Sequence, residues 1–306
     1  MGYCFERDGP VQKDVRRIAT AQIDGALARI DDHGLASDVV VHDVRKACKK
    51  LRALLRLVRP CIAGYRAENN AFRDVAAMLA PLRDAAVLIE TYDGLMEACH
   101  GEVERGAFAP VRRRLVLRQK KLDRETGGAD RKLGDVRDLL LAARLRVAQW
   151  NLSAGDFAAL NGGLGRTYRS ARKAMKNAVR TKDADALHDW RKYVKYHGYQ
   201  TRLIEPVWPA AMHAHRQAAD QLSDLLGDHH DLAVLDDLLR RAPDELRQAV
   251  DLSAFRLFIR NRQTKLEQQS FALGARLFAE PTDQLAQRWQ TYWTQWRGGP
   301  VSADAA

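Results

Sequence analysis

Residues His42 to Pro60 read HDVRKACKKLRALLRLVRP. Wound on an α-helix at about 100° per residue, His42, Arg45, Lys49, Arg52 and Arg56 fall within an arc of roughly 80°. Val44, Cys48, Leu51, Leu55 and Val58 fall on the other side. One face is a column of cations headed by a histidine; the other is a packing stripe. Asp43 is the only acid from His42 to Arg59, against seven arginines and lysines. An ordinary exposed helix face mixes signs, because i,i+4 pairs stabilise it and like charges cost a few tenths of a kcal/mol each. This column therefore reads as an anion-binding face rather than a solvated one.

The stretch has a second copy. His188 to Pro206 reads HDWRKYVKYHGYQTRLIEP and matches at His42/His188, Asp43/Asp189, Arg45/Arg191, Lys46/Lys192, Lys49/Lys195, Arg56/Arg202, Leu57/Leu203 and Pro60/Pro206. Gly198 stands opposite Arg52, and with His197 it thins the second column, so the first is expected to be the stronger. Downstream, LAPLRDAAVL from Leu79 parallels LGDHHDLAVL from Leu226, with Asp84 and Asp231 coinciding. Each half opens on a basic helix, with Lys13, Arg16 and Arg17 in one and Arg166, Arg169, Arg172 and Lys173 in the other. Such self-similarity marks a tandem duplication.

Between and around these copies the chain of 306 residues reads as helix throughout, with no convincing strand. Ala/Leu/Arg-rich runs favour helix by intrinsic propensity. The periodicity predicts helices at about 11–32, 38–59, 67–79, 81–95, 106–124 and 132–150 in the first half. In the second it predicts 164–179, 183–205, 209–226, 231–241, a long segment from Pro243 to Phe278, and Pro281 to Trp296. The glycines and serine of 151–163 make the best boundary. The expected architecture is all-α, a single domain over 1–306 built of two halves, about 11–150 and 164–297. These are similar helical bundles packed about a pseudo-two-fold axis, with a linker at 151–163 and a disordered tail at 298–306.

The net charge is +11. That attracts nucleic acid, acidic lipid or polyanionic metabolites without choosing among them. No apolar run approaches the ~20 residues of a membrane span. The first residues, MGYCFERDGP, lack the apolar core of a secretory signal. Cys4, Cys48, Cys61 and Cys99 show no CxxC spacing and read as free thiols in a reducing compartment, so a soluble cytoplasmic protein is expected.

The paired HDxRKxxK helices, each followed by an Asp-containing L-x-x-x-x-D-x-x-V-L segment, resemble the CHAD domain, the conserved histidine α-helical domain. The resemblance runs from about Val11 to Trp296, and two ordered copies of both motifs carry it. It implies an all-helical fold of two four-helix-bundle halves with long antiparallel helices, and non-catalytic binding of inorganic polyphosphate along a basic surface. By residue it points to His42, Arg45, Lys49 and Arg56, and to His188, Arg191, Lys195 and Arg202.

Physical chemistry points the same way. The column is about 20 Å long at 1.5 Å per residue, too long for one phosphate and suited to a chain of them. Arginine offers a planar fork to phosphate oxygens and lysine a point charge. Polyphosphate has no bases to stack, and the first column has no interleaved aromatics of the kind single-strand binders use. In the second copy Tyr193 falls on the packing side and Tyr199 beside the column. Arg52 and the basic openings of the halves join the candidate phosphate contacts. His42 and His188 are expected to touch or lie near phosphate, so that protonation tightens binding. Asp84 and Asp231 either orient column arginines or are ordinary acids near helix N-termini.

No metal ligands or cofactor are assigned: His42 has no His or Glu four residues on, and the flanking cations would repel a metal. Divalent ions bridging phosphate oxygens remain compatible. No Ser/His/Asp order, P-loop or HExxH occurs. Glu102-Val103-Glu104-Arg105 is the nearest approach to the ExExK strand motif of polyphosphate-hydrolysing tunnel enzymes and lacks the lysine. The leading expectation is thus a non-enzymatic polyphosphate binder associated with polyphosphate granules. Nucleic acid is expected as the weaker competitor, and a nucleic-acid-associated protein is the alternative. A polyphosphate or nucleotide phosphohydrolase ranks third.

Overall fold

A computed structural model describes residues 2–99, 105–125 and 128–298. The residues Glu102 to Glu104 of the would-be ExE motif, and 299–306 of the tail, lie outside them. Twelve α-helices run through the described residues: α1 (Val11–Asp31), α2 (Ser37–Leu57), α3 (Tyr65–Met78), α4 (Ala80–Ala98), α5 (Ala109–Glu125), α6 (Gly128–Val147), α7 (Ala158–Thr181), α8 (Ala184–Ile204), α9 (Pro209–Arg240), α10 (Asp244–Ala249), α11 (Leu252–Leu277) and α12 (Thr282–Gly298). The fold is all-α. Extended pairing among the described residues is limited to one isolated bridge, Ile62 with Leu152.

The packing stripe of α2 behaves as its spacing demands: Val44, Cys48, Leu51, Leu54, Leu55 and Val58 are fully buried. Each aliphatic side chain so buried contributes about 1.5–3 kcal/mol. Helices α1, α2, α3 and α6 pack in a closed ring of four, and α7, α8, α9 and α11 do the same. α12 covers α7, and α4 with α5 leans on α9. α2 touches both α7 and α8, so one hydrophobic core runs from Tyr3 through both rings to Trp293. A second core joins α4, α5, α9 and α11 around Phe255.

Residues ahead of α1 fasten the first ring to the second. Phe5 donates its backbone N–H to Leu203 O at 2.9 Å and packs edge-on against Trp293. Tyr3 Oη donates to Lys50 O at 2.8 Å. The Arg297 guanidinium of α12 donates to Gly9 O.

Two glycine readings change. The stretch 151–163 was expected to be a linker throughout, but α7 begins at Ala158, so Gly162 and Gly163 are helical. A Cβ on Gly163 would stand 1.8 Å from Leu57 O. Glycine here lets α7 cross the backbone of α2, a close approach no other residue permits. Likewise the segments 209–226 and 231–241 are one helix, α9. Gly227 does not break it; a Cβ there would meet the Arg191 guanidinium at 2.7 Å. Conversely, the long segment after Pro243 divides into α10 and α11, because Asp251 caps α11 by accepting from Ser253 and Ala254 N–H at 3.0 Å. All four cysteines are free, and burial pushes the Cys48 thiol up to about 12.

Candidate anion-binding groove

The site is built where α2 meets α8. Gln200 of α8 donates to Ala53 O of α2 at 3.3 Å and to Thr167 Oγ1 at 3.2 Å, pinning the contact. Beside this contact the two equivalent lysines, Lys49 and Lys195, come within electrostatic reach of one another. Both are half-buried. Burial, then Lys195, Arg45, Arg191 and Arg83, pull the Lys49 ammonium down to about 7. Burial and Arg191 lower Lys195 also. Cations gathered from three helices thus share one partly desolvated place, which is costly without a counter-charge.

The first column keeps its predicted line. Arg45 donates to Ala76 O at the end of α3 and has Asp84 and Arg83 as electrostatic neighbours. Arg52 donates to Asn69 Oδ1 at 3.3 Å. The Arg56 guanidinium lies 4.3 Å from the Tyr196 ring of α8, with Arg52 at 5.8 Å. Each such cation–π contact contributes about 0.5–2 kcal/mol. His42 is exposed, and burial, then Arg83 and Lys46, hold its imidazole below the ordinary histidine value.

The second column is built differently. Arg191 lies against Gly227, and the His188 ring lies tilted against His230 at 3.9 Å between ring centres. Burial and His188 push His230 down to about 4. Buried His229 pairs with Glu267 at 3.0 Å. Arg202 is exposed and neighbours Tyr3, Cys4, Tyr199 and Lys50, on the side of the N-terminal segment rather than beside Lys195. His197 and Gly198, expected to thin the column, lie on the packing face. His197 is fully buried with its Nε2 2.7 Å from His215 Nε2, and Gly198 packs on Ala219 and Asp220.

Several column donors lack a protein acceptor. Nε of Arg45, Arg56 and Arg191 and Nδ1 of His188 are buried without a hydrogen bond. Buried donors are normally satisfied, and the exceptions mark strain or an absent partner.

The basic openings of the two halves serve other purposes in part. Arg16 donates to Trp150 O at 2.7 Å and Asn151 Oδ1 at 2.9 Å, clasping the α6–α7 connection. Arg17 pairs with Asp14 and Glu6 and donates to Cys4 O. Arg169 lies 4.0 Å from Asp283 of α12, and Arg172 neighbours Tyr168. Lys13, Arg166 and Lys173 are exposed.

Asp84 and Asp231, matched by the repeat, come within electrostatic reach of each other. Burial raises both carboxyls against the pull of Arg45 on Asp84 and of Arg191 on Asp231. They sit within electrostatic reach of the column arginines. Besides Asp231, several residues take part that the sequence reading gave no role. Arg83, next to Asp84, neighbours His42, Lys49 and Asp231. Tyr196, buried, is the aromatic that receives the arginines, whereas Tyr193 and Tyr199 are half-buried in the core's margin. Asn69 holds Arg52. On α9, Asp220, Asp224 and Asp231 oppose Lys195, and Asp228 and Asp231 oppose Arg191. Their spacing places all four acids within roughly 80° on one helix face, a signal present in the sequence. A cavity of about 290 Å³ adjoins the cluster, lined by Arg83, Glu90, Asp228, Asp231 and Arg262 among others.

Three comparisons bear on this geometry. No curated protein matches the chain. Among solved structures, the crystal structure of the CHAD domain from the plant Ricinus communis is similar with a TM-score of 0.57 over 94% of each chain, at 17% identity. That likeness concerns the fold. A sequence model described as the CHAD domain matches residues 17–240, a span holding α2, α8 and the whole of α9. The chain therefore belongs to the CHAD domain family.

Proposed function

We propose that this protein binds inorganic polyphosphate without hydrolysing it, along a groove running from His42 past Lys49 and Lys195 to Arg56. One observation carries the reading: Lys49 and Lys195 come within electrostatic reach of each other among Arg45, Arg83 and Arg191, and burial together with these cations pulls the Lys49 ammonium down to about 7. A chain of phosphates supplies the counter-charge along the column and pairs with the guanidinium groups of Arg45, Arg56 and Arg191. Divalent cations can bridge its remaining oxygens. The binding energy is electrostatic and salt-dependent, with ion release as its source.

Nucleic acid fits less well. Tyr196 is buried beneath Arg56, so it offers no free face for a base, and base stacking is the main sequence-tolerant term for single strands. Through long-chain polyphosphate the protein would associate with polyphosphate granules in the cytoplasm.

The test replaces Lys49 and Lys195 together by glutamate and titrates long-chain polyphosphate by fluorescence anisotropy at near-physiological salt. Affinity is expected to fall at least about a hundredfold, as charge reversal at two central positions demands, with the helical circular dichroism unchanged. Retained affinity would remove the groove as the site. DNA and RNA are expected to displace bound polyphosphate only at large excess. Orthophosphate is not expected to be released with or without Mg²⁺.

A further inference from the structure

A second surface lies farther along α4 and α9, where α4 packs beneath both α5 and α9. Between α5 and α9 runs an open cleft of about 490 Å³. Its floor is aliphatic, made by Leu88, Leu115 and Leu239, and Leu246 of α10 closes one end. Leu117 and Val234 project at its mouth with 60% and 40% of their surface exposed. Two large aliphatic side chains left in water on a chain this highly charged mark an interaction surface when they rim an apolar cleft.

The rim is cationic. Arg114, Arg118 and Lys121 stand along α5 on the cleft. Among the described residues neither Arg114 nor Arg118 makes an ion pair, and Lys121 meets only the exposed Glu125 at 3.5 Å. The one acid on the rim, Asp237, is already paired with Arg241. Three cations at steps of four and three residues span about 10 Å, one helical turn apart each.

We infer that this cleft docks an acidic amphipathic helix of a partner protein, its aliphatic side chains entering between α5 and α9 and its carboxylates pairing with Arg114, Arg118 and Lys121. Charge spacing selects this occupant. A lipid headgroup concentrates its charge at one point, whereas a helix with acids three and four residues apart repeats the interval of the rim. Polyphosphate gains nothing from an aliphatic floor. Helix-in-groove recognition uses anchors at i, i+3, i+4 and i+7, a span of about 10 Å that matches the row of rim cations. The inference goes beyond the polyphosphate reading and does not depend on it.

The probe is a fluorescein-labelled 15-residue peptide with leucines at i, i+3, i+7 and i+10 and glutamates flanking them, set against a scrambled peptide of the same composition. The full chain is expected to bind the first with a Kd of roughly 10–100 µM, the range of weak transient contacts, and the scramble at least about tenfold more weakly. Leu117→Glu and Arg118→Glu, both at exposed positions, should each weaken the helical peptide about tenfold while polyphosphate binding stays unchanged. Polyphosphate should not displace the peptide. Absence of binding, equal binding of the scramble, indifference to both variants, or displacement by polyphosphate would each overturn the assignment. So would capture of phosphatidylglycerol vesicles that Leu117→Glu abolishes while the peptide fails to bind; that result would make the occupant a lipid surface.

Discussion

Lys49 shows what the groove costs and what a ligand returns. Burial and four neighbouring cations hold its ammonium near a pKa of about 7 in the free protein. Between that value and the ordinary lysine value, the unfolded chain holds a proton that folded Lys49 has released. Stability attributable to this group therefore rises with pH through that window and is lowest where Lys49 is charged. A bound polyanion reverses the preference, since it stabilises the ammonium. Binding takes up protons near pH 7, and affinity must fall as pH rises through it. His42, His188 and His230 are held below the ordinary histidine value and add the same sign at lower pH. Polyphosphate affinity is expected to drop about tenfold from pH 6 to pH 8.5, one unit of linkage being a factor of ten. Lys49→Arg, which stays charged throughout, should flatten the pH profile. Calorimetry in buffers of different ionisation enthalpy reads the proton uptake directly, and a profile equally steep in the arginine variant would assign the effect to other groups.

Among elements, the helices that build the candidate groove are also the ones most legible in the sequence. α2 shows its two faces in the spacing alone, and α8 is found by matching it. What stayed hidden depends on partners distant in sequence. The glycines of 151–163 look like a linker because glycine is the commonest loop signal, while Gly163 is there for the approach to Leu57 O. Gly227 looks like a break in the same way, while it makes room for Arg191. Arg16 and Arg17 look like the rest of the basic face, and only the fold brings Trp150, Asn151, Asp14 and Glu6 to them. These two glycine meanings are separable by experiment. Gly163→Ala is expected to destabilise by at least about 3 kcal/mol in urea unfolding, since the clash is with backbone that cannot yield. Gly25→Ala, in the exposed interior of α1 with open space around it, should stabilise by about 0.5–1 kcal/mol. Equal effects at the two positions would show that the α7–α2 crossing does not constrain the fold.

Across the whole molecule the two halves share a plan and differ in charge. Each has a ring of four helices with a basic helix facing the other. The sequence already suggests inequality, through Gly198 and His197, but for a reason the fold corrects, because both are packing residues. The difference comes from α9, whose Asp220, Asp224, Asp228 and Asp231 partly neutralise the second column, whereas Asp84 is the acid set against the first. Removing the acids should therefore strengthen binding. Asp220→Asn together with Asp224→Asn is expected to tighten polyphosphate binding by roughly three- to tenfold at low salt, the difference shrinking as salt screens it. An unchanged affinity would mean that the ligand runs along the first column alone.

The fastening ahead of α1 has a mechanical consequence. Phe5 lies against Trp293, and Gly9 is held by Arg297 of α12, so residues 5–9 and the last turns of α12 grip each other across the full sequence. A load applied through residues 5 and 297 would be borne by that grip in shear before it reached either ring. The helices bearing Lys49 and Lys195 sit inside the loop so closed, shielded from that tension.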